Sequence, residues 1–140
     1  MSLQKRHIFP DIDALANAAA IELVHAALAA VAERGVFMLA LAGGSTPRKL
    51  YTILANDPSL GDFPWDKTHL FFSDERHVPP HHMDSNYQMV RATLLATGKV
   101  PEANVHRVHA ELPDPNMAAV DYDVELHTLF PPAMRFNHCA

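Results

Sequence analysis

Val36-Phe-Met-Leu-Ala-Leu-Ala-Gly-Gly-Ser-Thr-Pro-Arg48 is the stretch on which the fold turns. Its first seven residues are apolar without a break, the pattern of a short strand covered on both faces in a parallel sheet. Gly43 and Gly44 then permit a sharp turn. Thr46 reads as the cap of a following helix, with Pro47 in the first helical position, where no amide hydrogen is needed. Strand, glycine turn and helix in this order form the opening of an α/β unit.

Upstream, Asp11 can cap a long helix and Asp13 favours its positive end. Ile21, Val24, Leu28 and Val31 recur at helical spacing and are expected as its buried stripe, with Gly35 as the stop. The segment from Ala14 to Val31 has the apolarity of a membrane span, but Asn17, Glu22 and His25 interrupt it, and an amphipathic helix fits it better. Downstream of the glycine turn, the helix carrying Leu50, Ile53 and Leu54 ends near Asn56, and Thr68 to Ser73 is a second strand. The residues between the two strands are enough for a helical crossover, so the strands are expected to be parallel. Asp84 or Ser85 caps a further helix with Tyr87, Val90 and Leu94 on one face. A short third strand is expected near Val105 to Val108, and a last helix from Met117 to Phe130. The alternation predicts a Rossmann-like, doubly wound α/β sheet, mostly parallel, with helices on both faces. Residues 1–130 make one domain on this pattern, and 131–140 read as an irregular tail.

The 140 residues suit one domain, and 49% hydrophobic residues are enough for a packed core. A formal net charge of -5 argues against a general nucleic-acid or membrane-surface binder, though local groups still decide whether a small phosphate binds. The single cysteine, Cys139, excludes an internal disulfide and fits a reducing compartment. Lys5 and Arg6 have no apolar run behind them, so no secretory signal is read and a cytoplasmic location is expected.

The glycine turn carries a chemical expectation. A helix N-terminus offers free backbone amides and partial positive charge, glycines let an anion approach closely, and Ser45 and Thr46 add hydroxyl donors. Gly43, Gly44, Ser45 and Thr46 therefore form a candidate phosphate site at the carboxyl end of a parallel strand, where open α/β sheets bind ligands. The string is neither a Walker loop nor a dinucleotide fingerprint, and in isolation it is equally compatible with an unliganded tight turn.

Ser73-Asp-Glu-Arg76 follows the second strand. Strand alternation sends Asp74 and Arg76 to one side and Glu75 to the other. Arg76 is suited to grip a phosphate bidentately, and Asp74 to bind sugar hydroxyls or handle a proton. A surface Asp–Arg pair is the alternative.

Taken together, Leu41-Ala-Gly-Gly-Ser-Thr-Pro47, Trp65-Asp-Lys67, Phe72-Ser-Asp-Glu-Arg-His-Val-Pro79 and His82-Met-Asp-Ser-Asn-Tyr87 resemble, in content and order, the 6-phosphogluconolactonase family, whose wider superfamily includes the glucosamine-6-phosphate deaminases. The resemblance runs from roughly Ile8 to about Phe130. It implies hydrolysis of 6-phospho-D-glucono-1,5-lactone to 6-phosphogluconate in the pentose phosphate pathway, with no metal or organic cofactor. It implies that Gly43, Gly44, Ser45 and Thr46 line the sugar-phosphate pocket and that Arg76 contacts the phosphate or neutralises charge near it. It further implies that Asp74 lies beside the reacting centre and that Asn86 supports the Asp74 loop. The Asp-Glu-Arg string favours the lactonases over the deaminases, which carry an Asp-Glu-Tyr type string there. A catalytically inactive sugar-phosphate binding module and an amino-sugar phosphate deaminase or isomerase are the alternatives.

Lactonases of the resembled family continue into a Gly-x-Gly-x-Asp-Gly-His segment whose histidine activates the attacking water. The 140 residues contain no such segment. His127 sits in only a faint echo of the family's later His-containing string and is expected on the last helix; His138 falls in the tail. The expectation is an incomplete, N-terminal part of the family fold, with an exposed sheet edge as a route to self-association. His77, His81, His82 and Asp84 fall within eight positions and have zinc-ligand chemistry, but their spacing matches no named zinc pattern, so a solvated polar loop is expected and a metal-binding loop is the alternative.

Overall fold

A computed structural model describes residues 6–130. The expected irregular tail from 131 to 140, with His138 and Cys139, lies outside the described residues. Three strands, β1 (Phe37–Leu41), β2 (Thr68–Phe72) and β3 (Val105–His106), form a sheet in the order β1-β2-β3, and both pairings are parallel. The helices are α1 (Ile12–Arg34), α2 (Ser45–Asn56), α3 (Asn86–Thr93) and α4 (Pro115–Leu129). The third strand is two residues shorter than expected, and the last helix starts earlier than expected because Asp114 caps it and Pro115 fills a first-turn position.

Side-chain alternation sorts the sheet into two faces. Phe37, Leu39 and Leu41 of β1 stand opposite Thr68, Leu70 and Phe72 of β2. This face meets α1, α2 and α3 in the main core, where Leu41, Leu54, Leu70, Val90 and Leu94 are buried. The other face carries His69, Phe71 and His106 and is covered by α4, which pushes Tyr122 into the sheet. The Tyr122 hydroxyl accepts from the Phe72 amide (2.9 Å) and donates to the His106 carbonyl (3.2 Å). Burial raises its pKa, so it stays protonated and serves both roles.

Helix α1 departs from its expected packing. Asp11 caps it as expected, accepting from the Ala14 amide (2.8 Å), and Gly35 ends it in a left-handed turn (φ 77°). Its buried line, however, is Ala16, Ala20, Val24, Ala27 and Ala30, whereas Ile21 (47%) and Leu28 (42%) are exposed. Small side chains let α1 lie close against α2, and bulky residues at those positions would hold the helices apart. With Ile12 and Leu15 also outward, α1 is apolar all round rather than amphipathic. It is long and apolar enough to cross a membrane by length and composition, yet its alanine face belongs to the main core.

Strand β1 is covered on one face only. Met38 is half-buried and Ala40 exposed, because α4 reaches β2 and β3 and leaves the far side of β1 open. A groove of about 840 Å³ runs there, lined by residues that include Ala30, Met38, Ala40, Phe71, Tyr122 and Leu126. Among the described residues, β1 pairs with β2 alone and forms an edge.

A short polar chain ties β2, β3 and α4 together. His69 Nδ1 lies 3.0 Å from His106 Nε2, and His106 Nδ1 lies 2.7 Å from Glu125 Oε1. Phe71 stacks on the His106 ring (4.6 Å between centroids). With Glu125 ionised, His106 donates to it from Nδ1, and a neutral His106 then accepts at Nε2 from His69 Nδ1–H. Burial, and secondarily the neighbouring His106, lowers the His69 pKa from 6.5. A lowered base pKa means that the unfolded chain takes up the proton more readily, so this contribution to stability is present above about 6.5 and lost as pH falls below it. Urea unfolding should therefore show a larger loss of stability between about pH 7.5 and about pH 5.5 in the parent than in His69→Gln. Equal losses in the two proteins would contradict this account of the histidine pair.

Candidate functional site

The carboxyl ends of β1 and β2 lie side by side, and the Ser73 amide extends their pairing by donating to the Leu41 carbonyl (2.9 Å). Both site loops leave the sheet from this point. The first, from Ala42 to Gly44, is pinned from behind by Tyr51 of α2. The Tyr51 hydroxyl accepts from the Ala42 amide (2.9 Å) and donates to the Ala42 carbonyl (3.1 Å). Burial raises the Tyr51 pKa, which keeps the proton needed for the second bond.

Helix α2 begins at Ser45, not after Thr46 as expected, so neither Thr46 as cap nor Pro47 as first residue holds. The reason is Gly44, whose φ of 106° and ψ of 172° suit glycine and place it as the N-cap without a capping side chain. Pro47 is tolerated because first-turn amides need no intrahelical acceptor. The first helical bond runs from the Arg48 amide to the Gly44 carbonyl (3.1 Å). The Ser45 and Thr46 amides therefore open the helix with no side-chain cap, and no acidic residue lies in that first turn. This is an electropositive N-terminus of a 12-residue helix.

The second loop leaves β2 after Phe72, so residues 74–76 lie beyond the strand and the expected alternation of sides does not apply to them. Glu75 turns toward α3. Its Oε1 accepts from the Arg76 amide (2.7 Å) and the Asn86 amide (2.7 Å), and its Oε2 from the Tyr87 amide (2.9 Å) and the Ser85 hydroxyl (3.0 Å). Ser85 caps α3, its Oγ accepting from the Gln88 amide (3.1 Å).

Asn86 connects the two loops. Its side chain is buried, and Nδ2 donates to the Asp74 carbonyl (3.1 Å) and to Asp74 Oδ1 (3.3 Å). Its other side presses on Gly43, where an added Cβ would sit 2.0 Å from Asn86 Oδ1. The glycine turn is thus packed directly against the side chain that holds Asp74. Arg76 is exposed, and among the described residues its guanidinium has no hydrogen bond or ion pair. Arg107, by contrast, is committed: it forks the Glu111 carboxylate (2.9 and 2.7 Å) and lies over the Tyr87 ring.

The histidine cluster disperses. His77 Nε2 bonds the Leu112 carbonyl (2.9 Å), while His82 Nδ1 accepts from the Asp84 amide (3.1 Å). Among the described residues no group of three or more metal-ligating side chains gathers. His127 lies on α4, bonded to the Asp123 carbonyl of the preceding turn (2.7 Å). Two residues that organise the site were not read from the sequence as site residues. Glu75 caps a helix ten residues downstream, and Tyr51 reaches back across a turn; neither contact has a local sequence signal.

Over residues 10–139 the chain matches the family described as Glucosamine-6-phosphate isomerases/6-phosphogluconolactonase. It is 44% identical to a 6-phosphogluconolactonase from Synechocystis sp. over 101 residues, covering 72% of this chain and 40% of that protein. It is 39% identical to a 6-phosphogluconolactonase from Nostoc sp. over 124 residues, covering 88% of this chain and 50% of that one. The crystal structure of a 6-phosphogluconolactonase from Thermotoga maritima superposes with a TM-score of 0.73 at 31% identity, covering 81% of this chain and 50% of that chain. A monomeric glucosamine-6-phosphate deaminase shares the fold alone, with a TM-score of 0.72 at 15% identity. The chain spans about half or less of the length of the curated relatives it matches. The family match over nearly the whole chain, together with these relatives, places the chain in the glucosamine-6-phosphate isomerase/6-phosphogluconolactonase family, and this chain belongs to it.

Proposed function

We propose that this chain carries the sugar-phosphate-binding part of a 6-phosphogluconolactonase, acting on 6-phospho-D-glucono-1,5-lactone. One observation carries the proposal: Asn86 packs on Gly43 and bonds Asp74, which joins the glycine turn to the Asp-Glu-Arg loop as one surface. The free amides of Ser45 and Thr46 and the unpaired Arg76 guanidinium then receive the phosphate. Asp74 faces the sugar end of the ligand. In the reaction, water adds to the lactone carbonyl carbon and the bond from that carbon to the ring oxygen breaks; one proton of the water ends on the ring oxygen as a hydroxyl and the other is released to solvent, leaving an open-chain carboxylate. The relatives named 6-phosphogluconolactonase support this chemistry over deamination, as does arginine at position 76.

A second reading is sugar-phosphate binding without turnover, supported by the anion-binding groups alone: the uncapped Ser45 and Thr46 amides and the exposed Arg76 need no base to hold a phosphate. General-base assistance contributes roughly 10²–10⁴ in rate, so binding outlasts catalysis when the base is lacking. The open edge of β1 and the groove beside it also support self-association through the sheet edge. Cytoplasmic location completes the proposal.

Calorimetry with 6-phosphogluconate, paired with a lactone-opening assay corrected for spontaneous hydrolysis, tests both readings. Arg76→Ala should weaken binding by about tenfold or more, since a charge-assisted hydrogen bond contributes roughly 1.5–3 kcal/mol. Turnover above background supports the lactonase reading, binding alone supports the second, and no binding by the parent refutes both. Gly44→Val should abolish binding because a β-branched residue is strained at the positive φ of this position and would shift the turn, and unchanged affinity would remove the turn as the anion site. Gly43→Ala should displace Asn86 and cost roughly 1–3 kcal/mol in chemical denaturation, and a parent-like stability would contradict the packing described above.

A further inference from the structure

We infer that Glu75 is a positioning residue for the anion site: its carboxylate is occupied by the start of α3, which both places the Asp74–Arg76 loop and leaves the Arg76 guanidinium uncompensated. The inference rests on the sugar-phosphate reading and adds to it a residue that touches no ligand.

In an aspartate-glutamate-arginine string the neighbouring carboxylates are available to the arginine as ion-pair partners, though an exposed pair of this kind is weak. Here the adjacent carboxylate is used up. Four donors converge on Glu75, two on each oxygen: the amides of Arg76, Asn86 and Tyr87, and the hydroxyl of Ser85. Two of these amides open α3, whose N-terminal dipole also favours the negative charge. A carboxylate with two donors on each oxygen has its acceptor sites filled, so it does not take the Arg76 guanidinium as a hydrogen-bond partner.

The same contacts set geometry. The Arg76 amide is bound to the carboxylate of the residue before it, which fixes the backbone at the root of the arginine side chain. The Asn86 amide is bound to the same oxygen, and the Asn86 side chain reaches Asp74 on one side and Gly43 on the other. Glu75 therefore holds in register the two loops that supply the amides, the carboxylate and the guanidinium. Glutamine at this position keeps one acceptor oxygen but turns an amide nitrogen, itself a donor, toward donors at Ser85 and Tyr87 or at Arg76 and Asn86.

The test is calorimetry of 6-phosphogluconate and of inorganic phosphate against the 140-residue chain, with dissociation constant and competent fraction read separately. Glu75→Gln should raise the dissociation constant for both ligands at least tenfold in protein that is still folded by circular dichroism. Asp114→Ala, which removes the α4 cap outside the site, should lower the melting temperature while leaving the dissociation constant within about twofold of the parent. A purely structural role for Glu75 would copy that control, with a reduced competent fraction and a parent-like constant, and would overturn the inference. If Glu75→Gln does not fold, Glu75→Asp decides: it keeps the charge but shortens the reach to α3, and a parent-like constant there overturns the inference while a several-fold rise supports it. Absence of binding by the parent would refute the sugar-phosphate reading itself, whereas parent binding with an unaffected Glu75 variant would refute only the inference.

Discussion

The contact between Asn86 and Gly43 is the constraint on which the rest of the site depends. No side chain fits at position 43 while Asn86 stays where it is, because even a methyl group would overlap its amide oxygen. Asn86 is held there by its own backbone bond to Glu75 and by its side-chain bonds to Asp74. Two loops that leave neighbouring parallel strands are thereby fixed relative to one another. The glycine is needed for space at position 43 and for its positive φ at position 44, two separate demands met by adjacent residues.

The remainder of the molecule supports this arrangement unevenly. The face of the sheet toward α1, α2 and α3 is well packed, and it anchors the starts of α2 and α3 that bear on the site. The opposite face is covered by α4 only over β2 and β3, where Tyr122 and the His69–His106–Glu125 chain do the joining. The open side of β1 leaves apolar surface in contact with solvent, a condition that parallel strands seldom tolerate. The solved relatives match this chain over about half of their own length.

Much of this was legible in the sequence, for identifiable reasons. The apolar run at 37–41, the Leu70-Phe71-Phe72 end of the second strand and the caps at Asp11 and at Asp84 or Ser85 are local signals, and the elements they mark appeared there, with Ser85 as the cap of α3. The ordered motifs from Leu41 to Tyr87 were specific enough to indicate the family. What failed was non-local. The larger apolar side chains of α1 were expected inside, but a helix packed closely on another buries its alanines and turns Ile21 and Leu28 outward. The start of α2 moved because the conformation of Gly44, not the capping chemistry of Thr46, set it. Glu75 was assigned a side by strand alternation, yet the strand had already ended at Phe72 and the helix start ahead offered a better partner.

On the proposed reading, one anion is shared by the first amides of α2 and the guanidinium of Arg76. A nitrogen–proton correlation spectrum of the labelled chain, recorded during titration with 6-phosphogluconate, addresses it directly. The Ser45 and Thr46 amides and the Arg76 side-chain resonance are expected to move together and saturate with a single dissociation constant. Movement of the amides with Arg76 unaffected, or with a clearly different constant for each group, would contradict it.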